Sequence, residues 1–121
     1  MKELHVIVHE GAVRAYANLG IDFAVAALKE IERLKKTSCV FEISDFVDPC
    51  LLHPDMPPPS SDLRVLVSGG YTYACVSLQL LYLRDNGYDA HLYLSACCPG
   101  ITELPLAALI EITEKYRDFW D

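Results

Sequence analysis

The sequence predicts an α/β fold: one compact three-layer, Rossmann-like domain over residues 1–121, with about four mainly parallel strands and helices on both faces. Three observations carry that expectation. Short β-branched runs alternate with stretches of helical periodicity in the order β-α-β-(loop)-β-α-β-α, a pattern that favours a parallel sheet joined by right-handed crossovers. Hydrophobic residues make up 52% of the 121 and the mean hydropathy is +0.20, yet no apolar run reaches the roughly 18 residues that cross a bilayer. A chain of this length buries about two-thirds of the surface it exposes when unfolded. Such apolar content suits a sheet covered on both faces, and it also leads us to expect a homo-oligomer.

Leu4 to Val8 (LHVIV) is the first expected strand, with His9-Glu10-Gly11 as a loop after it. Ile21, Val25, Leu28, Ile31 and Leu34 recur at spacings of three and four, predicting a helix from about Ile21 to Lys36. Residues Val13 to Leu19 either extend that helix backward or form a separate turn. Cys39 to Ile43 is the second strand. From Asp45 to Asp62 the chain carries Pro49, Pro54, Pro57, Pro58 and Pro59, which bars a helix or a central strand and predicts a long surface excursion. Arg64 to Ser68 is the third strand, closed by a tight turn at Gly69-Gly70. A helix follows from Thr72 to Asn86, then a fourth strand from Ala90 to Ser95. Thr102 suits an N-cap for a last helix reaching about Tyr116.

Charge and cysteine usage exclude several functions. The formal net charge is −7, so a phosphate backbone is repelled and no nucleic-acid partner is expected. Lys29, Arg33, Lys35 and Lys36 sit at the end of one helix, where the helix dipole accounts for them. The start of the chain lacks the layout of a signal peptide. Cys39, Cys50, Cys75, Cys97 and Cys98 are an odd number without a CxxC pair, which reads as reduced thiols of a cytoplasmic protein. Cys50, His53 and Asp55 lack a fourth ligand and a rigid frame, so no metal and no cofactor is expected.

In a parallel sheet the ligand sits beyond the carboxyl ends of the strands. The candidate rim is then His9–Ala12, Ser44–Asp48, Ser68–Cys75 and Ala96–Gly100. Cys75 is the catalytic candidate: a thiol near a helix N-terminus feels a field that lowers its pKa, and the N–H groups of Ala74 and Cys75 would hold an oxyanion. The plain alternative is a small apolar residue packed inside the helix. His9 and Glu10 end the first strand, where a base is useful. Gly69, Gly70, Tyr71, Thr72 and Cys97 are the candidate ligand-binding residues, although a simple strand-to-helix turn also explains the glycines.

Gly69, Thr72, Cys75 and Val76 follow a G-x-x-T-x-x-C-V register after a strand, and Gly87-Tyr88 end the helix. Over about thirty residues this resembles the isochorismatase-like cysteine hydrolases, which include nicotinamidases. The resemblance implies Cys75 as a nucleophile acting on a small amide or carbonyl compound, and a cis peptide at Gly70-Tyr71. The family's Asp at the end of the first strand is replaced by His9 or Glu10. Its Lys has no counterpart, because no lysine lies between Lys36 and Lys115. Two functions are therefore carried forward. The first is a small cytosolic domain that binds a small polar molecule at the strand edge or serves as an oligomeric assembly module. The second is a cysteine-dependent hydrolase built on Cys75.

Overall fold

The computed structural model describes residues 2–98. They form a four-stranded sheet in the order β2-β1-β3-β4, parallel at every pairing. The strands are β1 (Lys2–Val8), β2 (Val40–Ile43), β3 (Leu63–Gly70) and β4 (Asp89–Cys98). Helices α1 (Glu10–Asn18) and α2 (Asp22–Thr37) connect β1 to β2; a π-helical turn, Thr72–Val76, runs straight into α3 (Ser77–Asp85) and on to β4. The α/β, Rossmann-like architecture expected from the alternation is therefore present. The last helix expected at 102–116 lies outside the described residues.

Strand periodicity divides the core in two. Leu4, Val6 and Val8 of β1 join Val65 and Val67 of β3 and meet Val76, Leu80 and Leu83 on one face. Ile7 faces the other way and meets Val13, Ala24, Ala27, Ile31 and Leu34. Side chains two apart along a strand share a face, so β1 supplies both cores. The buried stripe of α2 is rotated from the expected one: Ala24 and Ala27 carry it with Ile31 and Leu34, whereas Val25 and Leu28 are only half-buried. Small alanines let the helix axis approach the sheet closely, and this outweighs the larger side chains beside them.

Four boundaries depart from the sequence expectation. Glu10 opens α1 rather than sitting in a loop, and Gly20, at φ +78°, separates α1 from α2. β3 continues through Gly69 and Gly70 instead of turning there. Gly69 has φ +110°, and a Cβ on it would stand 2.0 Å from the Val8 carbonyl oxygen. Only glycine permits this pairing with β1. β4 runs on through Ala96 to Cys98, past a bulge that sets residues 93–96 against Ser68 alone.

Residues 44–62 contain no helix or strand. They nevertheless cover the sheet: Leu51, Leu52 and Met56 pack against the α3-side core. The Tyr88 hydroxyl donates to the Pro57 carbonyl at 2.6 Å. The segment thus stands where a crossover helix would bury the β2 side of that face.

Candidate functional site

The chain leaves β1 towards β2 on one side and returns to β3 on the other. Between β1 and β3 the strand order reverses, and loops diverging at such a point leave a crevice at the carboxyl ends of the strands. A cavity of about 830 Å³ lies there. Its walls come from three separated stretches: His9 to Ala15 after β1, Asp45 to Pro49 after β2, and Tyr71 with Cys75 after β3. The volume falls within the usual range for a small-molecule pocket.

His9 adopts a left-handed conformation, φ 48°, which turns the chain sharply from β1 into α1. Its ring Nε2 donates to the Val47 carbonyl at 2.7 Å, so His9 ties the 45–49 wall to the end of β1. Asp45 reaches the same helix start. The Gly11 N–H donates to Asp45 Oδ2 at 3.1 Å, placing a carboxylate on an N–H that α1 cannot satisfy internally. A Cβ at Gly11 would meet that oxygen at 2.1 Å, hence the glycine. Asp48 accepts the Cys50 N–H at 2.8 Å, an Asx turn that shapes the far end of the wall.

Cys75 lines the floor and is 8% exposed. Burial pushes its thiol above the ordinary value, and the charges of Cys50 and Asp48 push it the same way. A hydrogen bond from its own backbone opposes them. The field of the helix start is therefore outweighed, and the lowered pKa expected from sequence is not the direction found. Ala74 is not an oxyanion donor either, since its N–H is engaged by the Tyr71 carbonyl at 3.0 Å.

Glu10 points away from this cavity. Its carboxylate accepts from Lys35 at 2.6 Å and from Arg14 at 3.2 Å, beside a smaller cavity shared with Glu42. Burial raises its pKa, but the hydrogen bonds and charges of the two cations outweigh burial and hold it below the ordinary range. A carboxylate so held is a poor base.

Among the ligand-binding candidates, Tyr71 lines the cavity, half-exposed, with its ring edge-on to Tyr16 at 5.6 Å. Gly69, Gly70 and Thr72 are buried behind it and do not line it. Gly70 sits against Ala12 and Val13 of α1, and the Gly70–Tyr71 peptide is cis. Cys97 is 2% exposed in the α3-side core, where burial drives its thiol up to about 12. It is a packing residue of β4 and makes no wall of the cavity.

Three of the four expected rim stretches contribute lining residues, but Ala96–Cys98 does not, Ala15 and Pro49 fall outside them, and Asp45, Phe46, Val47 and Asp48 are not among the expected site residues. The available signal was the acidic and aromatic run directly after β2. Among the described residues no cluster of His, Cys, Asp and Glu is arranged to hold a metal, and no helix is long and apolar enough to cross a membrane. No family model, no curated protein and no solved structure matches the chain.

Proposed function

We propose that this domain binds a small molecule with a polar group on an apolar body in the cavity between β1 and β3. One observation carries the reading: three chain segments distant in sequence converge at the strand-order reversal around a cavity of about 830 Å³. Its walls are largely apolar (Ala12, Ala15, Val47, Pro49), with polar atoms at a few places only, as in most small-molecule sites. The test is a fragment screen read by ¹H–¹⁵N NMR. Binders should shift the amides of Ala12, Val47, Tyr71 and Cys75 while leaving α2 unmoved. Ala15→Trp, which fills the mouth from an exposed helix position, should abolish those shifts. Binders that cluster elsewhere, or that survive Ala15→Trp, refute the reading.

A second reading, a cysteine-dependent hydrolase resembling the isochorismatase-like family, is favoured by the position of Cys75 on the cavity floor with Asp48 acting on it electrostatically. With Glu10 turned away, His9 and Asp48, which line the same cavity as Cys75, are the bases this reading has. The cycle is thiol deprotonation, attack on the carbonyl, departure of the leaving group, and hydrolysis of the thioester by water. Intact-mass detection of an acyl adduct after p-nitrophenyl acetate, absent in Cys75→Ser, tests it. An unmodified wild-type chain excludes it.

The cytosolic placement is supported by all five cysteines standing outside disulfides. A homo-oligomer is supported by the exposed Leu19 and Phe23 at the α1–α2 corner, and sedimentation velocity decides it.

A further inference from the structure

We infer that the ligand of the β1–β3 cavity is an organic cation, a protonated or quaternary amine carried on an aromatic or aliphatic body. This rests on the small-molecule reading above and specifies its charge.

The walls bear Asp45 and Asp48, and among the described residues lining the cavity there is no lysine or arginine. Among the described residues, the cations beside the neighbouring Glu10 are already engaged. Arg14 and Lys35 are bound to Glu10, and Lys35 also to Glu42 at 2.9 Å. An anionic ligand would meet two solvent-exposed carboxylates, one of them set against the start of α1, and no lysine or arginine of the lining to offset them. The whole chain, at −7, repels it further.

The aromatic residues favour the same chemistry. Phe46 stands fully exposed at φ 65° and lines the cavity, and Tyr71 lines it half-exposed from the other side. The faces of both ring types attract ammonium groups. Carboxylates for the charge, ring faces for its alkyl shell and alanines for the body together describe an amine site.

The test is affinity for benzylamine, benzyl alcohol and benzoate at neutral pH, read from the amide shifts of Ala12, Tyr71 and Cys75. Benzylamine should bind at least about fivefold more tightly than benzyl alcohol, with benzoate weakest. Asp48→Asn should remove most of that preference and leave benzyl alcohol unchanged, so that the alcohol also reports an intact cavity. Equal affinities, a preference for benzoate, or an amine preference that survives both Asp45→Asn and Asp48→Asn overturn the charge inference while the cavity reading stands. No shift of these amides by any of the three compounds overturns both.

Discussion

The two faces of the sheet are covered by different means. On one, α1 and α2 bury Val13, Ala24, Ala27, Ile31 and Leu34 at regular helical spacing. On the other, α3 covers β3 and β4, while residues 44–62 lay Leu51, Leu52 and Met56 over the remainder with no helix or strand. A regular cover spends its side chains on packing along its whole length. An irregular one needs only a few anchors, and its first residues, 45–49, are released to the rim where they wall the cavity. The two covers thus differ in how much of their length is tied to the core, although α1 also lends Gly11, Ala12 and Ala15 to the cavity, and this difference is open to experiment.

The largest effect belongs to the sheet that both covers share. Gly69→Ala forces a Cβ into the Val8 carbonyl at a positive φ and should cost about 4 kcal/mol from strain and overpacking, read by urea unfolding. Next, Ile31→Ala under α2 should lose about 3 kcal/mol, whereas Leu51→Ala, half-buried beneath the irregular cover, should lose about 1 kcal/mol. Equal losses would mean that the two covers contribute alike.

Alkaline pH sharpens the contrast on the α3 side. The Cys97 thiol ionises at about 12 in the folded chain, but near its ordinary value, about 8.5, when unfolded. Below the ordinary value its contribution to stability is complete. Above it the unfolded state gains by ionising, so stability should fall by about 1.4 kcal/mol per pH unit. Unfolding series between about pH 8 and pH 10.5 should be shallower by that amount in Cys97→Ala. Cys75, raised in the same direction, remains in that variant and keeps part of the slope.

Smaller effects probe the irregular cover itself. Tyr88→Phe deletes the hydrogen bond to Pro57 and should cost about 1 kcal/mol, with faster proteolysis confined to residues 44–62. Phe46→Ser should change stability by less than about 0.5 kcal/mol, because the ring touches solvent throughout. It should still weaken benzylamine.

Regular elements were legible in the sequence because burial imposes a period on them. The β-branched runs of β1 and β3 and the spacing of Ile31 and Leu34 named their elements to within a few residues. What escaped was decided by contacts between distant segments. Nothing local in Gly69-Gly70 distinguishes a turn from a strand end pressed against Val8. The direction of the Cys75 shift depends on burial and on Cys50 and Asp48, supplied from another stretch of chain. Glu10 was read as a possible base because its partner Lys35 lies 25 residues away. Cys97 looked like a rim residue because the bulge opposite Ser68, which extends β4 into the core, has no sequence signature.

The cavity is assembled from residues 9–15, 45–49, 71 and 75, which come together only in the native topology. Whatever occupies it binds the native chain and not the denatured one, so mass action must raise the melting temperature as occupant is added. At a hundred times its dissociation constant, an occupant contributes about 2.7 kcal/mol. A thermal-shift series across amines therefore ranks occupants without a catalytic assay.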